Sequence, residues 1–126
     1  MPAAVGVDLV SIERIEKVYK KYPDRFLRRI FRPSELKSFK DRGSSMTILA
    51  ARFAAKEAVL KALGCGIGPA AMNEVEIVSA RGRQPRVRLH GTAARLAEEK
   101  GMVDIAISIS HEPPLACAFA VAAYGG

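Results

Sequence analysis

Hydrophobic and polar residues alternate with two different periods along this 126-residue chain, and each change of period marks a predicted element. Five stretches have the β-branched, apolar character or the period of two that is typical of strands. They are residues 4–10, 74–80, 86–90, 103–110 and 115–124. The segment "RGRQP" predicts a hairpin with one solvated face between the second and third strands, and "HEPP" connects the last two.

Four other segments have apolar residues at helical spacing, with cap or stop residues at their ends. They run from a cap at Ser11 to about Tyr22, from just after Pro33, from about Met46 to Leu63, and from a cap at Thr92 to Gly101. Pro23 ends the first helix and Gly64 closes the third. Helices and strands without regular βαβ repetition predict an α+β fold, with a largely antiparallel sheet packed on a long buried helix, in a single domain over 1–126.

The third helix contains "ARFAAKEAVLKALG" (51–64), which is apolar on nearly every side and therefore typical of a buried helix. Glu57 and Lys61 are exceptions, and at about 100° per residue they fall on one face, about 40° apart. An exposed ion pair at i,i+4 would account for them, but charges on a buried helix require strong partners. The pattern leaves an exposed ion pair and a ligand or metal site as alternatives.

Two further polar residues interrupt apolar strands, namely Asp8 within "GVDLV" and His111 after "SIS". Asp8 lies either on a wet strand face or beside a cation, because an unpaired buried carboxylate is unfavourable. His111 is either a surface residue at a strand end or part of a site. Asp8 and His111, together with Glu57 and Lys61, make chemical sense as one site if a divalent cation and a phosphate bind there. Carboxylate oxygens are ligands that suit Mg²⁺.

The net charge of +7 is concentrated in one quarter of the chain. Residues 13–42 contain eleven Lys or Arg against five acids, which leaves +6 of the total there. A second basic group comprises Arg81, Arg83, Arg86 and Arg88. Such patches suit nucleic acid, an acidic protein or a phosphorylated small molecule. Aromatic residues make up only 6% and do not alternate with the basic ones, which disfavours a stacking platform for single strands.

The first helix has an apolar face and a basic face. The apolar face is expected to pack on the core and comprises Ile12, Ile15, Tyr19 and Tyr22. The basic face comprises Arg14, Lys17 and Lys21. A solvated surface and a docking surface for an acidic partner are both consistent with this basic face.

The sequence pattern predicts neither export nor membrane insertion. No apolar run approaches the roughly 20 residues of a membrane span, and the N-terminal stretch carries Asp8 inside its apolar residues without a basic region before them. Cys65 and Cys117 match no metal-ligand spacing and are expected to be reduced thiols. We therefore expect a cytoplasmic protein.

Three segments in order, "GVDLV", "RFAAKEAVLKALG" and "SISH", resemble the holo-[acyl-carrier-protein] synthases, the small 4′-phosphopantetheinyl transferases. The resemblance implies transfer of the phosphopantetheine arm of coenzyme A to a carrier-protein serine in fatty acid biosynthesis, with release of adenosine 3′,5′-bisphosphate. It implies Mg²⁺ bound by Asp8 and Glu57, Lys61 near the leaving phosphate, and His111 lining the coenzyme A site. It also implies a homotrimer with each site between neighbouring subunits, and neither a nucleic-acid nor a membrane partner.

The chemistry of the implied reaction and the basic hairpin extend the site. Asp8, Glu57 and Lys61 are predicted to be catalytic, and Glu57, directly or through a metal-bound water, is the candidate base for the serine proton. Coenzyme A binding is predicted for Lys61, Gly64 and His111 and, in the hairpin, for Arg83 as a phosphate donor and Pro85, which stiffens the turn. A solvated hairpin turn would account for Arg83 and Pro85 nearly as well.

The carrier-binding residues are predicted from both charge and resemblance. Arg14 matches a family residue that docks an acidic carrier, so Arg14, Lys17 and Lys21 are predicted to bind acyl carrier protein. Glu112 departs from the Ser or Thr expected in many relatives, which removes a hydroxyl contact to the diphosphate at that position. Two alternative functions are a Mg²⁺-dependent phosphohydrolase and a basic nucleic-acid-binding module, although the latter explains neither Asp8 nor Glu57.

Overall fold

A computed structural model describes residues 3–65, 70–79 and 82–125 of the chain. The helices are α1 (Ile12–Lys21), α2 (Pro23–Ile30), α3 (Pro33–Asp41), α4 (Met46–Ala62) and α5 (Gly91–Glu99). The strands are β1 (Ala3–Ser11), β2 (Val75–Val78), β3 (Arg86–Leu89), β4 (Met102–Glu112) and β5 (Leu115–Tyr124). A short 3₁₀ turn, Met72–Glu74, leads into β2.

All strand pairs described are antiparallel, and they form two sheets. In the larger sheet β5 is central and pairs with β1 on one side and β4 on the other, so that Asp8 and Ile109 both lie opposite Ala118. The hairpin of β2 and β3 forms the second sheet, with Val75 and Ile77 buried and Arg86 and Arg88 exposed. The predicted α+β class and antiparallel arrangement are confirmed. Residues 80 and 81, within the predicted strand and turn, lie outside the described part of the chain.

Helix α4 is the buried helix that the sequence predicts, and it packs on β1 and β5. Four of its alanines share one buried cluster with three inward-facing alanines of β5: Ala54, Ala55, Ala58 and Ala62 with Ala118, Ala120 and Ala122. The backbone approach to β1 is close because Gly6 has no side chain: a Cβ atom there would lie 2.0 Å from the carbonyl oxygen of Ala58. A glycine within a strand often marks such an approach.

Helix α2 is an element that the sequence analysis missed. Pro23 does follow the end of α1, but it also occupies the first turn of α2, where proline is favoured because no backbone N–H is needed. Leu27 and Ile30 of α2 are buried. The prediction that Tyr22 packs on the core is wrong, since Tyr22 lies at the junction of the two helices and is 48% exposed. Ile15 is buried as predicted.

The predicted cap of the last helix is also wrong. Helix α5 begins at Gly91, with His90 at the N-cap position, so Thr92 lies within the first turn. The backbone N–H of Thr92 donates to the carboxylate of Glu74, whose other oxygen accepts from the N–H of Ala71 at 2.7 Å. A side chain from the 3₁₀ turn therefore satisfies the helix terminus in place of a local hydroxyl. Within the described residues no helix has both the length and the apolar character needed to cross a bilayer.

Candidate active site

An ion pair joins β1 to α4 at the centre of the candidate site. Lys61 Nζ lies 2.9 Å from Asp8 Oδ1 and donates a second hydrogen bond of 3.0 Å to the carbonyl oxygen of Val7. The side chain of Asp8 is 14% exposed and that of Lys61 is 46% exposed. Asp8 is in strand register with the buried Ala118, so its side chain is on the sheet face that packs against α4. The site is thus open to solvent at the lysine and enclosed at the aspartate.

Glu57 lies one helical turn before Lys61 and on the same face of α4. Partial burial raises the pKa of Glu57, the negative charge of Asp8 raises it further, and Lys61 partly offsets both effects. The two carboxylates are therefore close enough to repel each other, and an added cation would relieve that repulsion. The structure brings together the three residues predicted to be catalytic.

The second carboxylate oxygen of Asp8 bears on whether these residues could hold a metal ion. Asp8 Oδ2 is buried and has no hydrogen-bond partner among the described residues, and an unpartnered buried carboxylate oxygen is unfavourable. No group of three or more His, Cys, Asp or Glu side chains within the described ranges could hold a metal ion. Mg²⁺ requires fewer protein ligands, because it is commonly held by one or two carboxylates with waters and substrate phosphates. The pair formed by Asp8 and Glu57 fits that donor set.

Lys56 lies in the segment "RFAAKEAVLKALG", but the sequence pattern assigned it no role. Its side chain is completely buried, and it lies 2.8 Å from Glu35 of α3. Burial lowers the pKa of Lys56, and the neighbouring Glu35 opposes this effect. The sequence indicates this contact only through a lysine at an otherwise apolar position of α4. Its partner Glu35 is 21 residues away, so no local pattern connects the two.

His111 does not join the Asp8 site within the same chain. It is exposed near the end of β4 and lies opposite Ala116, which in turn lies opposite Val10 of β1. Two strand spacings therefore separate His111 from β1, a distance of about 10 Å. His111 lines a shallow groove of about 410 Å³ together with Leu9 and the residues of the β4–β5 turn.

The other residues predicted to bind coenzyme A lie at loop positions. Gly64 follows α4 with a φ of +80°, a conformation that favours glycine. The ammonium group of Lys100 donates to the carbonyl of Leu63 beside it. Arg83 is exposed and Pro85 is half-buried in the connection to β3. No hydrogen bond or ion pair joins the described hairpin residues to Asp8, Glu57 or Lys61.

A second polar pocket, which the sequence analysis did not predict, lies between α3, α4 and β2. Its cavity of about 150 Å³ is lined by Arg42 and Arg52, by hydroxyls including that of Ser79, and by Glu35 and Glu76. Arg52 Nη2 donates to Ser79 Oγ at 2.5 Å, whereas Nη1 is buried without a partner in the described structure. Burial and the charge of Arg42 lower the pKa of Arg52. An unpartnered guanidinium donor of this kind suits an anion.

The predicted basic face of α1 is accessible. Arg14, Lys17 and Lys21 are all exposed. Lys17 makes a loose ion pair of 3.3 Å with Glu13, both side chains being more than 70% exposed. Such a pair contributes little to stability, which leaves these side chains available to a partner.

This chain resembles known proteins over nearly its full length. The model of the 4′-phosphopantetheinyl transferase superfamily matches residues 4–119. A holo-[acyl-carrier-protein] synthase of Desulforudis audaxviator is 43% identical over 97% of this chain and 93% of its own length, and that of Moorella thermoacetica is 44% identical over 92% and 90%.

Solved structures give the same result. The Neisseria meningitidis holo-[acyl-carrier-protein] synthase has a TM-score of 0.85 at 37% identity, with 94% of this chain and 96% of that chain covered. The Helicobacter pylori enzyme, solved in complex with coenzyme A, has a TM-score of 0.82 at 33% identity, with 94% and 99% covered.

Proposed function

Because this chain belongs to the 4′-phosphopantetheinyl transferase superfamily, as a holo-[acyl-carrier-protein] synthase, we propose that it catalyses a Mg²⁺-dependent transfer from coenzyme A. The 4′-phosphopantetheine group passes to a serine of acyl carrier protein, and adenosine 3′,5′-bisphosphate is released. The observation that carries this proposal is the cluster of Asp8, Glu57 and Lys61, with its buried and unpartnered Asp8 oxygen. The family assignment disfavours the phosphohydrolase and nucleic-acid-binding alternatives.

The reaction is a displacement at phosphorus. The serine oxygen bonds to the phosphorus that carries the pantetheine arm, and the bond from that phosphorus to the bridging diphosphate oxygen breaks. Mg²⁺, which Asp8 and Glu57 would hold, supplies charge neutralisation at the diphosphate. The serine proton passes to Glu57 or to a water that Glu57 orients.

Lys61 acts on the leaving group in this proposal. Its ammonium group is half-exposed and bonded to Asp8 and to the Val7 carbonyl, so it is held beside the two carboxylates and remains accessible from solvent. A positive charge in that position stabilises the negative charge that develops on the departing bisphosphate. The bonds to β1 also limit the conformations that the long lysine side chain samples before substrate binds.

We propose that the functional site is shared between copies of the chain in a homotrimer. His111 is about 10 Å across the sheet from β1, which is too far for one small substrate group to contact both directly. The outer face of the larger sheet is apolar and exposed, and it includes Val5, Val7, Leu9, Phe119 and Val121. A second copy packed there would bury this face and bring His111 of one copy toward Asp8 of another. Gly64, Arg83 and Pro85 are proposed to complete the coenzyme A site.

The second polar pocket, at Arg52, is proposed to hold one phosphate of coenzyme A. Arg52 and Glu57 differ by about 140° around α4, so this pocket serves the Asp8 site of a neighbouring copy. Arg52→Gln should raise the KM for coenzyme A about tenfold, while the exposed control Arg95→Gln should not. With 3′-dephospho-coenzyme A as substrate, the increase in KM caused by Arg52→Gln should disappear if the pocket holds the 3′-phosphate. It should persist if the pocket holds the diphosphate. An unchanged KM would refute a phosphate site at Arg52.

The cellular setting is proposed from the family and from the thiols. Cys65 is buried and Cys117 is half-buried, and both are free. Free thiols suit a reducing compartment, so we propose a cytoplasmic enzyme that modifies the carrier protein of fatty acid biosynthesis.

The experiment that tests the function follows the fate of labelled coenzyme A. Coenzyme A labelled in its pantetheine arm is incubated with apo-carrier and Mg²⁺, and the label is measured on protein and in solution. We expect one label per carrier and one adenosine 3′,5′-bisphosphate per transfer, both lost with Asp8→Ala or with a carrier whose acceptor serine is alanine. Label released as free phosphopantetheine would instead indicate a hydrolase.

A further inference from the structure

A buried polar cluster, here called the Lys56 hub, joins α4 to three other elements. It consists of Lys56, Glu35 and backbone groups of Ile30, Val75 and Ile77. Lys56 Nζ donates to Ile30 O at 2.7 Å, to Glu35 Oε1 at 2.8 Å and to Val75 O at 2.6 Å. Glu35 Oε2 accepts from the N–H of Ile77 at 3.0 Å. The three ammonium protons therefore all have partners, on the end of α2, on α3 and on β2.

The carboxylate of Glu35 makes further hydrogen bonds within the Lys56 hub, to backbone N–H groups. Its Oε1 atom also accepts from the N–H of Arg32 at 3.0 Å, at the start of α3. Neither Lys56 nor Glu35 appears among the buried side chains that lack a partner in the described structure. A fully satisfied buried network specifies one arrangement of the elements that it joins, because breaking any bond leaves a buried charge unpaired.

Apolar packing alone defines the rotation of α4 weakly. Alanines contribute most of its buried positions, including Ala54, Ala55, Ala58 and Ala62, and the inward residues of β5 are also alanines. Small side chains make shallow ridges and grooves, so they resist rotation of a helix about its axis less than large ones do. The hydrogen bonds of Lys56 are directional and lie to one side of the helix, and they therefore supply a constraint that the alanines do not.

The catalytic cluster depends on that rotation because its carboxylates are on different elements. Asp8 belongs to β1 and Glu57 to α4, immediately after Lys56. A carboxylate about 6 Å from a helix axis moves about 1 Å when the helix rotates by about 10°. A displacement of about 1 Å in a reacting group reduces a rate by roughly a hundredfold.

We propose that Lys56 is a positioning residue for the transfer reaction. Its bonds to Glu35, Ile30 and Val75 fix the rotation of α4 and thereby hold Glu57 opposite Asp8. The inference rests on the proposed role of Asp8 and Glu57 in holding Mg²⁺.

The test uses Lys56→Met together with Glu35→Gln, which removes both buried charges and keeps the approximate shape of the side chains. Two experiments follow: the rise in Tm that Mg²⁺ produces is measured without substrates, and the steady-state kinetics of transfer are measured at varied Mg²⁺ concentrations. We expect the Mg²⁺-induced rise in Tm to be lost, the Mg²⁺ concentration giving half-maximal transfer to increase at least about tenfold, and kcat to fall at least about tenfold. The KM for coenzyme A is compared in Lys56→Met alone, where it should change less than about threefold, because Glu35 lines the pocket at Arg52 and Lys56 does not.

The control is Leu96→Ala on α5, which removes partly buried apolar packing away from the hub. It should lower Tm while leaving the Mg²⁺ response and kcat unchanged. If the double variant does not fold, Lys56→Met alone provides the comparison, because the remaining Glu35 carboxylate keeps the backbone N–H donors of Arg32 and Ile77. A folded variant with the wild-type Mg²⁺ response and kcat, or an equal effect of Leu96→Ala, would overturn the proposal. Failure of the proposed function would differ, because the wild-type protein itself would show no response to Mg²⁺.

Discussion

At the scale of single residues, the carboxylates of Asp8 and Glu57 destabilise the folded protein when no ligand is bound. Asp8 has one bonded oxygen and one buried oxygen without a partner, and Glu57 is partly buried near the same charge. Such arrangements are common at functional sites, where groups are kept in surroundings that favour a ligand over the empty protein.

The first prediction follows from the pKa of Glu57. This pKa is raised above the ordinary glutamate value of 4.5 by partial burial and by the charge of Asp8, and Lys61 opposes the increase. Ionisation therefore favours the unfolded chain: the loss of stability begins as the pH rises above about 4.5 and is complete above the folded-state pKa. In metal-free protein at pH 7, Glu57→Gln should raise Tm by about 1–3 °C, and the gain should vanish below pH 4.

Thermal unfolding in EDTA across this pH range measures the effect, and Glu99→Gln on the exposed side of α5 is the control. Mg²⁺ should reverse the order of stability, because it stabilises the wild-type carboxylates and has little to bind in the variant. A lower Tm for Glu57→Gln in metal-free protein at pH 7 would contradict the prediction.

At the scale of elements, the contact between β1 and α4 decides whether Asp8 and Glu57 meet. Gly6→Ala would introduce a Cβ atom 2.0 Å from Ala58 O, so the strand and helix must separate. We expect the free energy of unfolding, measured by thermal unfolding, to fall by about 1–3 kcal/mol and to lie near the upper limit of that range. Transfer activity, measured by steady-state kinetics, should fall at least about tenfold.

Gly101→Ala is the control for this change. Gly101 has a φ of +72°, and nothing lies within 4 Å of its Cβ position, so alanine there is strained without touching the site. It should reduce stability by about 1–2 kcal/mol and leave kcat unchanged. Equal losses of activity in the two variants would show that stability, rather than the distance between β1 and α4, limits the reaction.

The basic face of α1 carries the prediction about the carrier. Arg14→Glu should raise the KM for acyl carrier protein about tenfold and weaken its dependence on salt, with little change in the KM for coenzyme A. Arg95→Glu on α5 changes the net charge equally at another exposed position and should have a much smaller effect. If both substitutions acted alike, net charge rather than a defined surface would guide the carrier.

At the scale of the whole molecule, the exposed face of the larger sheet predicts assembly. Val7 lies opposite Phe119 and Val5 opposite Val121, and these apolar side chains are 43–72% exposed. Val7→Lys with Phe119→Lys should convert the proposed trimer to monomers in light scattering and greatly reduce transfer, because each buried apolar side chain contributes about 1.5–3 kcal/mol.

The control for assembly is Val18→Lys, which alters an exposed valine on α1, outside the sheet. It should leave the mass in solution unchanged. A wild-type protein that is monomeric at working concentration, yet fully active, would contradict both the shared site and the trimer.

The sequence predicted those features that depend on local pattern. The period-two strands, the buried α4 and the single face shared by Glu57 and Lys61 all follow from repeats within one element, and the structure agrees. Helix α2 was missed because proline stops one helix and starts the next with the same side chain. The contacts of Lys56 and Arg52 were missed because their partners lie 21 and 27 residues away, and periodicity carries no information about such pairs. Thr92 was misassigned because Glu74 reaches the helix from a distant turn.

Strand β1 has a consequence for how this sequence can change. Its inward positions include Gly6 and Asp8, and its outward positions include Val5, Val7 and Leu9. Because alternate residues face opposite sides, inserting or deleting one residue between Gly6 and Asp8 would place these two residues on opposite faces of the sheet. We expect such a change of length to abolish activity, whereas apolar substitutions at Val5 or Leu9 keep the outward face apolar and should be tolerated.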